Sequence, residues 1–329
     1  MKAVSILEPH QVEVVERPKP SPGPDEVLIA VRACGICGTD VHIFRGEYLG
    51  HYPVTPGHEF AGVVEAVGED VTRVAPGDHV AVEPNIACGN CANCLNNRQN
   101  FCLNWDAIGV TLPGGMAEVV VAPENAVFDI GALPFEQGAF MEPLSCVLHG
   151  VQKAQVRLAD TVAILGAGPI GQLLLQTVRL QGAAEVTVVE RNAARGELTQ
   201  TLGADRWMED VDALEGGRFD VVIDASGAIP LMTRAIDLAR RGGTVLFFGV
   251  APAGRRMEIE PFQIFEKGLT LLSSFTSVRN SYQAVALLQT GQIDVAPLIS
   301  HRLPLEQFEH GVRLIEAGRE DVQKVLLVG

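Results

Sequence analysis

Four cysteines lie within fifteen residues of one another and have the spacing of a metal site. They are Cys88, Cys91, Cys94 and Cys102, separated by two, two and seven residues. Glycine and asparagine in the short gaps allow tight turns, so four thiolates can surround one zinc ion and leave no position open for a substrate. Iron–sulfur clusters use closely spaced cysteines too and are the alternative. The pattern predicts a closed structural zinc site that braces a loop.

A second group of possible metal ligands lies nearer the amino terminus. It consists of Cys37, which follows Cys34 in a CxxC, and the adjacent pair His58 and Glu59. One thiolate, one imidazole and one carboxylate form the mixed set of a catalytic zinc, whose fourth position stays exchangeable. The alternatives are a redox pair or half a zinc ribbon for the two cysteines, and ordinary buried or surface roles for His58 and Glu59.

A glycine-rich run, Gly166-Ala167-Gly168-Pro169-Ile170-Gly171, follows an apolar strand and opens a helical pattern. In such a turn the first glycine permits the tight bend, the second lets the backbone approach a pyrophosphate, and the third lets helix and strand pack closely. The amino terminus of the helix carries a partial positive charge that favours phosphate. These residues predict a dinucleotide site, with cofactor contacts at Gly166, Gly168, Pro169, Ile170 and Gly171.

An acid follows at the distance that this kind of site requires. Glu190 ends the apolar run Val186–Val189 and lies 19 residues beyond Gly171, where a carboxylate can bind the adenosine ribose hydroxyls. The same charge would repel a 2′-phosphate, so NAD is favoured. Arg191 and Arg195 are close enough in sequence to accommodate NADP instead, and a solvated acid at a strand end is the alternative without function.

The elements that must position these residues change in type along the chain. Up to about residue 130, short β-branched runs such as Val12–Val15, Val27–Val31 and Gly62–Val67 alternate with Gly and Pro turns. Many short strands with such punctuation predict a β-rich, barrel-like domain.

From about residue 145 strands alternate with helical patterns. The apolar strands are Thr161–Gly166, Val186–Glu190, Phe219–Asp224 and Thr244–Gly249, and the helical patterns include Ile170–Leu180 and Leu231–Arg240. This β-then-α order predicts an α/β fold with a doubly wound parallel sheet. A helix-rich tail of about 283–329 ends in the short apolar strand Lys324–Val328.

Length and composition limit the classes of protein that need to be considered. With 329 residues, 47% of them hydrophobic and 20% charged, the chain is expected to form two globular domains. A net charge of −15 without a basic run argues against nucleic acid and anionic membrane partners. We expect a cytoplasmic protein, because we find neither a secretory signal nor an apolar stretch of ~20 residues. In a reducing compartment, clustered cysteines indicate metal ligation rather than disulfides.

Taken together, the motifs resemble a known family. The run Gly57-His58-Glu59-x-Ala61-Gly62, the run Cys37-Gly38-Thr39-Asp40-Val41-His42, the four-cysteine lobe and the glycine-rich run have the order and spacing found in zinc-containing medium-chain alcohol dehydrogenases. The resemblance covers essentially the whole chain. It implies a GroES-like catalytic domain made of residues 1–144 and 283–329, with an NAD-binding Rossmann domain, residues 145–282, inserted between them.

One segment resembles the polyol, or sorbitol-like, branch of that family. In this branch a glutamate at the position of Glu142 in Met141–Cys146 reaches the zinc or its water, where ethanol dehydrogenases have a cysteine and threonine dehydrogenases usually have Asp-Pro. Sorbitol enzymes also carry an Arg-Tyr pair at the position where Phe275 is here followed by Thr276 and Ser277. That departure argues against sorbitol itself but not against the reaction class.

The resemblance also implies roles in catalysis. The zinc would be held by Cys37, His58 and Glu59, with Glu142 nearby, and hydride would pass from the substrate carbon to the nicotinamide. Thr39 would take the hydroxyl proton and pass it through the cofactor ribose to His42. The remaining expectations concern the surroundings of the site. Asp40 either orients a ligand imidazole or caps a turn, and Phe44, Tyr48 and Phe101 either line the pocket or pack in the core. Cys34 and Cys146 are expected to be small buried residues.

The sequence therefore predicts an NAD-dependent zinc dehydrogenase of polyols or secondary alcohols, with two zinc ions per chain and a homotetrameric or homodimeric assembly. An amino-alcohol dehydrogenase of the threonine type keeps the fold and changes the substrate. A non-catalytic, zinc-braced nucleotide-binding protein is the alternative from another class. It requires one zinc ion and has no use for Cys37, His58 and Thr39 together.

Overall fold

The computed structural model describes residues 1–48, 51–319 and 321–329. The chain divides into two compact units, one made of Met1–Ser145 and Ser277–Gly329 and the other of Cys146–Thr276. Among the described residues, none of the helices has the length and apolar character needed to cross a bilayer.

The strands and helices are numbered along the chain. The strands are β1 (Lys2–Glu8), β2 (Gln11–Glu16), β3 (Glu26–Gly35), β4 (Glu59–Val67), β5 (His79–Val82), β6 (Asn85–Ile86), β7 (Asp106–Ala107), β8 (Val119–Pro123), β9 (Val127–Asp129), β10 (Thr161–Leu165), β11 (Glu185–Val189), β12 (Arg206–Met208), β13 (Phe219–Asp224), β14 (Ala239–Phe247), β15 (Thr270–Ser273), β16 (Ile299–Leu303) and β17 (Lys324–Val328). The helices are α1 (Gly38–Arg45), α2 (Ala92–Leu95), α3 (Phe135–Gly138), α4 (Met141–Ala154), α5 (Pro169–Leu180), α6 (Ala193–Thr201), α7 (Ile229–Leu238), α8 (Pro261–Lys267), α9 (Ser281–Gln289) and α10 (Phe308–Ala317).

The first unit is built on a mostly antiparallel sheet in the order β16-β17-β3-β4-β5-β9, with β8 paired to β3. The long strand β3 is its centre, because it pairs with β17, β4 and β8. Its inward side chains, such as Val27, Ile29 and Val31, join a core that also contains Phe60 and Phe308. The β-rich, barrel-like domain expected from the short β-branched runs is therefore present.

The second unit contains a parallel sheet in the order β12-β11-β10-β13-β14-β15. The order reverses between β10 and β13, as in a doubly wound nucleotide-binding fold. The central strands β10 and β11 are buried along nearly their whole length, which explains their continuous apolar sequence. Each strand expected from sequence in this part of the chain overlaps a strand of the sheet.

The carboxyl-terminal tail differs from its description as helix-rich. It contains α9 and α10, but β16 lies between them and pairs in parallel with β17. The sequence of β16, Ile-Ser-His-Arg-Leu, is too polar to show the apolar pattern of a buried strand, and its burial is only intermediate. The strand expected at Lys324–Val328 is present with those bounds and inserts next to β3.

Candidate metal and cofactor sites

The four cysteines of the predicted structural site lie on a small lobe around α2. The Cys91 Sγ lies 3.5 Å from Cys94 Sγ and 4.0 Å from Cys102 Sγ, and Cys88 Sγ lies 4.0 Å from Cys94 Sγ. A tetrahedral site with Zn–S near ~2.3 Å requires sulfur–sulfur distances of about 3.8 Å. All four sulfurs lie within 4.8 Å of one another, so the lobe has the size of a Cys₄ zinc site.

The electrostatics of this lobe also suit a cation. Backbone N–H groups of Leu103 and Cys94 lower the pKa of Cys91 to about 6, whereas burial and the neighbouring thiols raise the pKa of Cys94 to about 12. Backbone N–H groups of Cys88 and Asn104 donate to Cys102 Sγ, each at 3.3 Å. Four thiols this close cannot all ionise without a positive charge between them, and a divalent metal supplies it.

The second predicted ligand set is also brought together by the fold. Cys37 lies between β3 and α1, and His58 and Glu59 lie where β4 begins. The antiparallel register pairs Gly35 with Glu59, which brings the end of β3 against the start of β4. The ligand atoms of Cys37, His58 and Glu59 lie within 4.8 Å of one another, and His58 and Glu59 are buried. Residues 21 positions apart thus form one cluster, which we call the mixed cluster.

Asp40 holds the two halves of the mixed cluster together. Its fully buried carboxylate accepts a hydrogen bond from Cys37 N at 2.8 Å and one from Gly57 N at 3.2 Å. Its Oδ1 lies 3.6 Å from His58 Nδ1, too far for a hydrogen bond but close enough for charge attraction. Asp40 therefore caps α1, whereas its predicted role in orienting a ligand imidazole stays a prediction, because no hydrogen bond joins the two side chains.

The mixed cluster fits a bound metal ion. The buried His58 Nδ1 has no hydrogen-bond partner among the described residues, which is rare for a buried polar atom unless an ion or water completes it. Burial lowers the pKa of His58, but the Asp40 carboxylate and Cys37 outweigh it and raise that pKa well above 6.5. A thiolate, an imidazole and a carboxylate in this arrangement are ligands that zinc prefers.

Lys324 is a member of this site that the sequence analysis missed. Its side chain is buried, only 7% exposed, and its Nζ forms an ion pair with Glu59 Oε2. The sequence shows only a lysine at the start of an apolar strand, and such lysines are usually solvated. The position of Lys324 beside Glu59 follows only from the pairing of β17 with β3, which the sequence does not reveal.

The predicted proton-relay residues lie on and near α1. Thr39 and His42 are half-buried and three positions apart, and His42 Nδ1 lies 2.7 Å from Glu47 Oε2. Glu142 is buried in the first turn of α4, but it is not among the three side chains of the mixed cluster.

The other side chains singled out from sequence have different surroundings. Phe44 packs in the core against Phe308, Tyr48 is partly buried against the same core, and Phe101 is 49% exposed on the four-cysteine lobe. Cys34 is fully buried, whereas Cys146 is only half-buried.

The glycine-rich turn in the second unit gives each glycine a distinct environment. Gly166 follows β10 with a φ of +108°, a conformation that other residues rarely adopt. A Cβ at Gly171 would lie 2.0 Å from the Gly166 carbonyl oxygen, so only glycine allows this contact. A Cβ at Gly168 would meet nothing within 4 Å, so the protein itself does not require glycine there. Open space at the amino terminus of α5 is what an approaching phosphate needs.

Glu190 lies beside this turn and is already bonded to it. Its Oε2 accepts from Ala167 N at 2.8 Å and its Oε1 accepts from Asn192 N at 2.9 Å. Each carboxylate oxygen can accept a second hydrogen bond, so the ribose role is compatible with this bracing role. Asn192 caps α6, which carries the half-buried Arg195, whereas Arg191 is exposed.

Comparison with known proteins agrees with this geometry. Residues 23–132 match the family model of the alcohol dehydrogenase GroES-like domain, and residues 169–290 match that of zinc-binding dehydrogenases. The D-altritol 5-dehydrogenase of Agrobacterium fabrum (strain C58 / ATCC 33970) is 39% identical over 93% of this chain and 94% of that protein. The chain belongs to the zinc-binding medium-chain alcohol dehydrogenase family. The resemblance seen in the motifs and the predicted fold class are confirmed, and the protein is an oxidoreductase of a family that acts on alcohols.

Two other relatives differ in the substrate for which they are named. D-arabinitol dehydrogenase 1 of Uromyces fabae is 31% identical, covering 95% of this chain and 93% of its own. L-threonine 3-dehydrogenase of Rhizobium rhizogenes (strain K84 / ATCC BAA-868) is 33% identical, covering 92% and 91%.

Solved structures of the family confirm the fold. A zinc-binding dehydrogenase of Sinorhizobium meliloti 1021 bound to NADP has a TM-score of 0.94 and 38% identity, covering 100% of this chain and 99% of its own. An E. coli CFT073 alcohol dehydrogenase complexed with NADH has a TM-score of 0.93 and 29% identity, covering 100% and 99%.

Proposed function

We propose that this protein is a zinc-dependent dehydrogenase that oxidises a polyol or secondary alcohol to a ketose or ketone and transfers the hydride to NAD. The observation that carries the proposal is the buried mixed cluster, in which Cys37, His58 and Glu59 place their ligand atoms within 4.8 Å of one another. A closed structural site would use all of its coordination positions, whereas three protein ligands leave one position for a substrate hydroxyl.

The proton transfers of this chemistry are assigned to residues of the first unit. A zinc ion at the mixed cluster would supply Lewis acidity, lowering the pKa of a hydroxyl bound beside it. Thr39 is proposed to accept the released proton through its hydroxyl, which can both accept and donate a hydrogen bond. His42 would carry that proton onward, with Glu47 Oε2 at 2.7 Å from its Nδ1 to orient the ring. Glu142, buried at the start of α4, is proposed as a further residue that would hold the zinc ion on occasion or would hydrogen-bond to water beside it.

The substrate class is inferred from relatives and from two adjacent residues. The relatives named for D-altritol and D-arabinitol are 39% and 31% identical to this chain over nearly its full length. The pair Glu142 and Pro143 also resembles the polyol branch, whereas threonine dehydrogenases usually carry Asp-Pro at these positions. An amino alcohol is the second candidate, because a relative at 33% identity is named a threonine dehydrogenase.

NAD is the proposed cofactor because Glu190 lies beside the glycine-rich turn, where its charge disfavours a 2′-phosphate. The NADP-bound relative makes NADP the competing candidate, and Arg191 and Arg195 are the residues that would serve it. We further propose that the first unit, with its second zinc ion at the four cysteines, is the catalytic domain. The second unit would then be the nucleotide-binding domain, and the assembly a homodimer or homotetramer.

The decisive experiment combines metal analysis with an activity panel. Wild-type protein should hold two zinc ions per chain and reduce NAD with polyols faster than with threonine or simple primary alcohols. Cys37→Ser and His58→Ala should each lose one zinc ion and at least about a thousandfold in turnover, because Lewis-acid stabilisation is worth several kcal/mol. Cys146→Ser, a cysteine outside both clusters, is the matched control and should keep both metals and activity. One zinc ion in wild type, with no turnover of any alcohol, would support the non-catalytic alternative.

A further inference from the structure

A buried lysine in direct contact with a metal-ligand candidate needs a physical reason. Lys324 is the first residue of β17 and is only 6% exposed, and its ammonium pairs with the Glu59 carboxylate, which is 1% exposed. Ordering and desolvating both groups is costly, and a buried ion pair is often no more stabilising than apolar residues of the same volume. The pair is therefore poorly explained as a device for stability alone.

The backbone is shaped to bring this pair together. Strand β3 lies between β17 and β4, pairing Leu326 with Gly35 and Gly35 with Glu59. A Cβ at Gly35 would lie 2.3 Å from Glu59 Oε2 and 2.7 Å from the Lys324 Cε. The missing side chain at Gly35 thus leaves the space in which Lys324 crosses β3 to reach Glu59.

The charges around the mixed cluster show what the lysine changes. Cys37 as a thiolate, Glu59 and Asp40 contribute three negative charges, and Lys324 contributes a single positive one in contact with one of the three ligands. A cation on Glu59 withdraws part of that carboxylate's charge from any metal ion at the cluster, and the ammonium also repels the metal directly. Both effects weaken the binding of the metal to Glu59 relative to Cys37 and His58.

We propose that Lys324 is a positioning residue that restrains Glu59, so that the metal ion at the mixed cluster is held mainly by Cys37 and His58 and keeps an exchangeable position for substrate. The inference rests on the proposed function, because it assumes a metal ion at the mixed cluster. Lys324 lies on β17, far from the metal motifs in sequence, and would control how strongly Glu59 binds the metal ion.

The test measures how the metal is held rather than only how fast the enzyme turns over. In Lys324→Met and Lys324→Gln, the unrestrained Glu59 should hold zinc more strongly, so the zinc ion of the mixed cluster should pass to a chelator at least about tenfold more slowly. The visible spectrum of protein with cobalt at that site should also change, because the ligand field of Glu59 changes. Lys267→Met is the matched control: it removes another partly buried ammonium, 3.0 Å from the Asp237 carbonyl oxygen, and should change neither property.

The outcomes separate this inference from the proposed function. A purely structural lysine predicts the opposite sign, with faster zinc loss in both neutral variants. Faster or unchanged zinc loss, an unchanged cobalt spectrum, or failure of both neutral variants to fold would overturn the inference and leave the proposed function intact. Two zinc ions per chain in the wild type and one in Cys37→Ser would support the proposed function. A single zinc ion in both proteins would overturn the proposed function and, with it, the role of Lys324.

Discussion

The carboxylate of Asp40 offers a sharp test of how the mixed cluster is assembled. It joins the loop before α1 to the loop before β4, by accepting hydrogen bonds from Cys37 N and Gly57 N. Asp40→Ala removes both bonds at once and adds no bulk. The zinc-free protein should therefore lose stability in its first unit, since two backbone donors are left without their acceptor.

The size of the loss follows from the burial of the two donors. Leaving a buried donor unpaired costs about 1–3 kcal/mol. The Gly57 donor is buried, so its bond belongs at the upper end of that range, whereas the Cys37 donor is partly exposed and water can replace the carboxylate in part. We expect about 3–4 kcal/mol for Asp40→Ala in total. Asp40→Asn should cost roughly half of this, because an amide offers one acceptor oxygen instead of two.

The assay must report on the first unit alone, because a chain with two units need not unfold in one step. The sequence contains two tryptophans, Trp105 in the first unit and Trp207 in the second. In a Trp207→Phe background, the fluorescence of Trp105 during urea unfolding of zinc-free protein gives the stability of the first unit.

A matched control is available at Asp78. Its Oδ2 accepts a hydrogen bond from Ala75 N at 2.8 Å, with the same three-residue spacing as the bond from Cys37 N to Asp40, but the bond to Asp78 is exposed to solvent. Asp78→Ala should cost only about 0.5–1 kcal/mol. If Asp40→Ala costs no more than Asp78→Ala, the bridging role assigned to Asp40 is wrong.

Three further predictions concern the cofactor, the lobe and pH. Glu190→Ala should raise the KM for NAD and weaken the preference for NAD over NADP, because it removes the proposed ribose ligand and the hydrogen bond from Ala167 N. Unchanged kinetics with both nucleotides would refute the role assigned to Glu190. Cys102→Ala should lower the thermal stability and remove one zinc ion, yet the folded fraction should still oxidise alcohol; full zinc content in this variant would contradict a Cys₄ site. The pKa of His58 is raised well above 6.5, and a protonated imidazole cannot bind a metal. The affinity of the mixed cluster for zinc should therefore already fall as the pH drops towards 6.5. A zinc affinity that does not change over this pH range would contradict the geometry assigned to His58.

Much of this molecule can be predicted from sequence because its signals are local. The glycine-rich turn is six consecutive residues, and its demands on backbone geometry, such as the positive φ of Gly166, involve only the strand and helix that flank it. The four-cysteine lobe is likewise closed by short turns. The central strands of the parallel sheet, β10, β11 and β13, are buried on both faces, so their apolar runs identify them without knowledge of their neighbours.

Other features were decided only by the tertiary structure. The polar strand β16 is strand only because β17 provides its hydrogen-bonding partner. The contact between Lys324 and Glu59 requires β17, β3 and β4 to be neighbours in one register, which brings together residues 265 positions apart. Hydrophobic periodicity shows which face of a strand is buried but not which strand lies beside it. The sequence by itself determined the ligand types and the cofactor turn, whereas the sheet order decided which buried charge faces the metal ligands.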